Sequence, residues 1–171
     1  MVMGRMEEMI FRIGDLAVYP AHGVGRIESI ETKSIGGKKQ DFYIMRILDN
    51  EMKIMIPILN AQAVGLRGLI GMDDIPRVYN ILKTREISVN GGTWNRRYRE
   101  YMEKIKTGSI YELAEVLRDL TVLKVDKELS FGERKMLDTA RTLLLKELSI
   151  VQKVSEEDIE KEILEVLKWP V

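Results

Sequence analysis

The groups best placed to do chemistry in this chain lie in one short run, Gly91-Gly92-Thr93-Trp94-Asn95-Arg96-Arg97-Tyr98-Arg99. At 100° per residue on a helix, Trp94, Tyr98, Tyr101, Met102 and Ile105 share one side. Arg96 and Arg99 share roughly the opposite side, with Arg97 on a flank. An arginine cluster beside a helix N-terminus is a surface for phosphate. An exposed aromatic beside it can stack on a base or wedge against one. The plain alternative is that Trp94 ends an apolar stripe and packs in a core, as aromatics at helical spacing usually do. The arginines pull the reading towards nucleic acid, because only Glu100 and Glu103 stand near enough to neutralise them.

Other chemistries have little to work with. There is no Cys and a single His, so thiolate zinc sites, disulfides and ordinary transition-metal sites are not expected. His22 lies in a Pro-Ala-His-Gly turn and reads as a turn residue. Ser34-Ile35-Gly36-Gly37-Lys38-Lys39 has the wrong spacing for a phosphate-binding loop and fits a hairpin turn instead. The acidic residues after Ser155 fit a solvated helix face. We expect a chain with no catalytic residues, no metal and no cofactor.

The formal net charge is zero, but it is unevenly placed. Residues 1–75 carry 9 Lys and Arg against 10 Asp and Glu; residues 76–108 carry 8 against 3; residues 109–171 carry 10 against 14. The basic excess therefore surrounds the Trp94 run. No apolar run reaches the roughly 18 residues a membrane span needs. The first eight residues lack the apolar core of a signal peptide and suggest a flexible extension, so a cytoplasmic chain is expected.

Two kinds of periodicity must position these groups. Leu16–Tyr19, Val24–Glu31, Phe42–Leu48 and Met52–Ile56 read as short strands, with Ala63–Leu66 as a possible fifth. Turn residues separate them: Ala21-His22-Gly23, Gly36-Gly37 and Asp49-Asn50. So little chain leaves no room for crossover helices, which predicts a small, bent antiparallel sheet of SH3-like type. After Gly71 the period becomes helical. Asp73 or Asp74 is placed to cap a helix to about Lys83, and Thr84–Thr93 reads as a linker loop. Thr93 then caps a helix to about Lys106. Ser109-x-x-Glu112 and Ser130-x-x-Glu133 have the capping-box pattern, and Ser155 opens a last helix. Leu113, Val116, Leu117 and Leu120, then Met136, Leu137, Ala140, Leu143 and Leu144, recur at helical spacing. The second half is expected to be a helical bundle.

A series of motifs, in order along residues 9–165, resembles the CarD/CdnL proteins, bacterial RNA polymerase-binding transcription factors. They are Ile10-Phe11-Arg12-Ile13-Gly14-Asp15-Leu16-Ala17-Val18-Tyr19-Pro20 with His22-Gly23-Val24-Gly25, then Ile56-Pro57 and Val64-Gly65-Leu66-Arg67. Trp94-x-Arg96-Arg97-Tyr98, Ala114-Glu115-Val116-Leu117-Arg118-Asp119-Leu120 and Ser130-x-Gly132-Glu133-x-x-Met136-Leu137-x-x-Ala140-Arg141 complete the series. The resemblance implies an α+β chain of two domains: a Tudor-like, RNA polymerase-interacting domain over residues 9–70 and a helical, DNA-contacting domain over 72–171. It implies binding to the polymerase β subunit and contact with promoter DNA at the upstream edge of the transcription bubble, which stabilises the open complex. Trp94 would wedge into the minor groove, while Arg96, Arg97 and Arg99 hold the backbone. The implied polymerase contact falls on Lys33 and on position 55. Some members carry a second cation at that position; this chain has Met55. By strand alternation Lys53 shares Met55's face, so the expectation is either a more apolar contact here or substitution by Lys53.

The competing readings are a polymerase-binding module that never touches DNA, and a nucleic-acid binder independent of polymerase. With few basic contacts, DNA binding by the isolated chain is expected to be weak and nearly sequence-independent. A monomer is expected, with a domain-swapped dimer as the alternative. Location at the nucleoid would follow from the polymerase.

Overall fold

A computed structural model describes residues 11–84 and 94–168. The predicted extension at 1–8, the linker over residues 85–93 and the Thr93 cap lie outside the described residues. The chain divides between Leu69 and Ile70 into two compact units.

The first unit is an antiparallel sheet of four strands in sequential order: β1 (Leu16–Tyr19), β2 (Gly23–Ile35), β3 (Lys38–Ile47) and β4 (Lys53–Pro57). The β2–β3 connection is Gly36-Gly37, both with positive φ (59° and 81°), as a two-residue hairpin whose twist matches its strands requires. Ala17, Ile27, Tyr43, Met45 and Ile56 fill the concave side, joined by Phe11, which meets the Tyr43 ring edge-on at 5.9 Å. The sheet bends where Gly25 faces β3. A Cβ there would stand 2.7 Å from Met45 Cε and 2.8 Å from the Arg46 carbonyl oxygen. A register shift between Ile27 and Ser29 adds to the bend.

The possible fifth strand at Ala63–Leu66 is not one. Ala61–Gly65 form a turn, with Gly65 at φ 84°, and only Arg67 pairs with β1, through an isolated bridge to Val18. Burial of Leu66 within the core accounts for the apolar run that suggested a strand.

The second unit holds, among the described residues, α1 (Ile75–Lys83), α2 (Trp94–Thr107), α3 (Ile110–Asp126), α4 (Phe131–Gln152) and α5 (Glu156–Leu167). None of these helices is long and apolar enough to cross a membrane. The central element is α3, which packs against α1, α2 and α4, while α5 packs on α4 and α1. Val78, Leu82, Ile105, Leu113, Val116, Leu120, Ala140, Leu144, Leu148 and Ile159 are buried in one core.

Two predicted caps take another form. Before α1, Met72–Asp74 make a 3₁₀ turn, and the Asp74 carboxylate accepts from the Gly71 N–H (3.1 Å) instead of capping α1. At α3 the Ser109 side chain makes no capping bond. Glu112 bonds the Thr107 hydroxyl, which in turn accepts from the Ser109 N–H at 3.3 Å. A nearer hydroxyl has displaced the expected reciprocal pair. The Ser130–Glu133 box is present: the Ser130 hydroxyl accepts from the Glu133 N–H and the Glu133 carboxylate from the Ser130 N–H, each at 3.1 Å. The Ser155 hydroxyl accepts from the Asp158 N–H, with Glu156, Glu157 and Asp158 in the first turn of α5.

Glu133 makes the box sensitive to acid. Burial pushes its carboxyl up, but bonds from the Ser130 backbone and hydroxyl and from Lys127 outweigh this and hold it below its ordinary 4.5. A lowered folded pKa contributes stability above about pH 4.5 that is lost as pH falls through the folded value. Thermal melts between pH 6 and pH 2 should therefore show a shallower acid limb for Glu133→Gln than for the parent chain. Ser130→Ala should cost about 1 kcal/mol at neutral pH. Identical acid limbs for parent and Glu133→Gln would sink this account of the cap.

Candidate functional site

The sequence points to two surfaces, one on each unit. On the sheet, alternation and register sort the strands into two faces. Ile54 and Ile56 turn inward with Met45 and Tyr43. Lys53, Met55 and Pro57 turn outward, opposite Arg46, Ile44 and Phe42 on β3. Beyond them on β2 and β3 the outward positions are Glu31 and then Lys33, paired with Gln40. The Lys33 ammonium comes to 3.7 Å from the Met55 sulfur and 3.8 Å from a Glu31 carboxylate oxygen. Lys33 and Met55, 22 positions apart in sequence, thus form one patch, with Met55 exposed. Lys53 lies one register row away, directly opposite Arg46.

On the helical unit, α2 carries the second set. Trp94 is the first residue of α2; its side chain lies outside what is described. Arg96 and Arg99 are exposed, and Arg96 makes an i,i+4 pair with Glu100 at 3.5 Å. Arg97 differs from its neighbours. It is half-buried, and its Nε is shielded from solvent with no hydrogen-bond partner. The Arg97 charge is felt at the buried Tyr101 phenol, which burial above all, and then Asp119, push up to about 12 despite Arg97. The three arginines are therefore not equivalent: Arg96 and Arg99 face solvent, while Arg97 faces α2's packed side.

Below α2 lies a pair that sequence reading left out. Arg118 and Asp119 on α3 are both buried and form an ion pair at 3.0 Å. The Arg118 guanidinium also donates to the Ile81 carbonyl near the end of α1, at 3.2 Å. Burial raises the Asp119 carboxyl, and Arg118 opposes that shift most strongly. Lys104 of α2 adds a 3.0 Å bridge to Glu115 of α3. The available signal was the density of apolar residues at 113, 114, 116, 117 and 120. It leaves α3 no wet face for residues 118 and 119.

Among the described residues no group of three or more His, Cys, Asp or Glu is placed to hold a metal ion. His22 stacks on Tyr19 (5.2 Å, 15°) in its turn.

Comparison with known proteins agrees along both units. Residues 11–70 match the family model described as the CarD-like/TRCF RID domain, and residues 77–164 that of the CarD C-terminal domain. YdeB of Bacillus subtilis (strain 168), a transcription factor by name, is 38% identical over 150 residues, covering 88% of this chain and 97% of its own. Among solved structures, CdnLNt from Myxococcus xanthus is 52% identical over 35% of this chain and 84% of its own (TM-score 0.31). The 72-residue N-terminal domain of Myxococcus xanthus CarD is 34% identical over 34% of this chain and 77% of its own (TM-score 0.30).

The buried pair yields a test. Arg118→Met should cost about 3–5 kcal/mol, since it leaves the Asp119 carboxylate and the Ile81 carbonyl buried without their partner. Arg118→Met with Asp119→Leu should recover much of that loss, because no unpaired charge remains. Urea titration of the three chains measures both steps. A single variant as stable as the parent would contradict the role given to the pair.

Proposed function

The chain belongs to the CarD/CdnL family, transcription factors associated with RNA polymerase, and on that premise we propose that it binds the polymerase β subunit through its sheet and contacts promoter DNA through the start of α2, stabilising the open complex. Residues 9–70 form the polymerase-interacting domain, and residues 72–171 the DNA-contacting one. The polymerase contact is centred on Lys33 and Met55, with Lys53 beside them. The observation that carries the DNA half is the pair of exposed guanidiniums, Arg96 and Arg99, on the first turns of the helix that Trp94 opens. Two outward cations at the start of a helix favour phosphate oxygens. Trp94 at the helix tip is the group that can part a base step. Arg97 anchors this surface from the packed side.

Trp94→Ala decides between wedge and core. A wedge buries little area in the free protein, so the melting temperature should hold. Open-complex lifetime on a promoter should fall. Aromatic–base stacking is worth ~1–3 kcal/mol, or roughly 5- to 100-fold in the equilibrium it biases. A core residue would instead cost ~3–5 kcal/mol of stability. Arg99→Glu should weaken DNA engagement and flatten its salt dependence while leaving polymerase binding intact. An unshifted melt with an unchanged lifetime for Trp94→Ala would defeat the wedge. If the chain binds polymerase but promoter contact is indifferent to both changes, it is a polymerase-binding module without a DNA role.

A further inference from the structure

The outward face of the sheet carries a feature that neither Lys33 nor Met55 accounts for. Register places Arg26 of β2 directly opposite Arg46 of β3, and Arg46 directly opposite Lys53 of β4. Three cations stand side by side across three strands. Like charges in directly opposed positions destabilise a sheet. One device relieves this one. At the register shift between Ile27 and Ser29, Glu28 closes an ion pair with the Arg46 guanidinium. That hydrogen bond, acting against desolvation, lowers the Glu28 carboxyl and raises the Arg46 guanidinium. Arg26 and Lys53, at the two ends of the row, remain exposed. Arg26 makes a long bond to the Gly14 carbonyl, at 3.4 Å.

Arg46 is engaged within the sheet by Glu28 and by the Glu51 carbonyl, but the exposed cations placed on either side of it oppose it, and a local rule broken in this way is a mark of a functional surface. Its place on the face matters. The Lys33–Gln40 row lies six residues along β3 from the Arg46 row, a separation of about 20 Å at strand rise. Between the two cationic rows the exposed apolar side chain is Met55, with Pro57 partly exposed, while Ile44 and Phe42 opposite them are buried. The Lys33 side chain nonetheless reaches back to the Met55 sulfur at 3.7 Å, and the Arg46–Lys53 row is one register step from Met55, so cations flank Met55 within one side of a standard protein interface of about 800 Å² per partner.

We propose that the Arg26–Arg46–Lys53 row is a second cationic contact of the sheet, taking a carboxylate-bearing patch of the polymerase and placed at the opposite end of Met55 from Lys33. The inference rests on the polymerase reading of this face. A protein partner is favoured over nucleic acid because an exposed methionine, Met55, lies beside the row on the same face. The row restores on β2 and β4 the positive charge that position 55 lacks.

The test uses the full chain and bacterial core RNA polymerase, with affinity measured across a series of salt concentrations. Lys53→Glu and Arg26→Glu should each weaken binding by about 3- to 10-fold at low salt and reduce its salt dependence. Lys53→Glu exchanges a repulsion of Arg46 for an attraction and an attraction to Glu28 for a repulsion, so its melting temperature should hold. A merely structural role predicts that stability and binding move together; this contact predicts that they part. Lys33→Glu and Met55→Ala report on the face itself. If these two weaken binding while Arg26→Glu and Lys53→Glu leave it unchanged, the second contact is overturned and the polymerase reading stands. If all four bind as the parent does, the polymerase reading of the sheet falls with it. If Arg26→Glu and Lys53→Glu weaken duplex DNA binding and spare polymerase binding, the row serves nucleic acid and the proposal is wrong.

Discussion

The helical unit depends on a helix with almost nowhere to put a charge. From Val116 to Leu120 every residue of α3 is buried, and two of the five are Arg118 and Asp119. Two charges in such a place must satisfy each other, and the guanidinium has donors to spare. One of them goes to the Ile81 carbonyl in the last turn of α1, where a helix leaves its carbonyls without internal partners. The carboxylate lies within electrostatic reach of Tyr101 and Lys104 on α2. One buried pair therefore serves the end of α1, the middle of α3 and the inner side of α2. The packing of α2 on α3 is shared between this electrostatic reach, the buried Tyr101 and Ile105 and the Lys104–Glu115 bridge.

The strand unit solves a different problem. Sheets this small must curl to enclose a core, and curling needs close approach of neighbouring strands. Gly25 supplies it, since any side chain there would collide with Met45 and with the Arg46 carbonyl. The same bend and the neighbouring register shift bring Glu28 onto Arg46. Curvature and outward charge pattern are thus set within a few residues of each other. A substitution intended to probe one can disturb the other, and the ends of the cationic row, Arg26 and Lys53, are the cleaner places to probe.

Most of the architecture was legible because two strong periods do not overlap. Strand alternation and glycine turns placed the four strands to within a few residues, and capping serines placed the starts of α4 and α5. The errors share one physical origin, which is that a local signal can be answered by a neighbour absent from the pattern. The apolar Ala63–Leu66 run serves the core from a turn, and Ser109 yields its part to Thr107. At the candidate site, Lys33 and Met55 could be nominated, but only the reach of the Lys33 side chain along the sheet shows that they touch. Helical spacing set Arg97 on a flank, apart from Arg96 and Arg99, and burial shows how far it differs from them. The Arg26–Arg46–Lys53 row was invisible because its members are spread over 27 positions, and cross-strand pairing is set by turn geometry and bulges.

The charge distribution then acquires a physical sense. The acidic excess of the last third is partly engaged within the helical unit: Glu160 meets Arg141 of α4 at 3.1 Å, and the Tyr79 hydroxyl of α1 donates to Glu162 at 2.8 Å. Some of the basic excess of the middle third is engaged as well, with Arg77 over the Tyr111 ring at 4.1 Å and Lys104 on Glu115. Among the described residues at the head of α2, Arg99 faces solvent, as does Arg96 in its pair with Glu100. An exposed i,i+4 pair of that kind is worth about 0.3–0.5 kcal/mol. Exchanging it for a phosphate oxygen costs little beside a charge-assisted hydrogen bond. The buried Arg118–Asp119 pair and the Lys104–Glu115 bridge lie where they hold helices together, and the weak Arg96–Glu100 pair lies where a ligand can replace it.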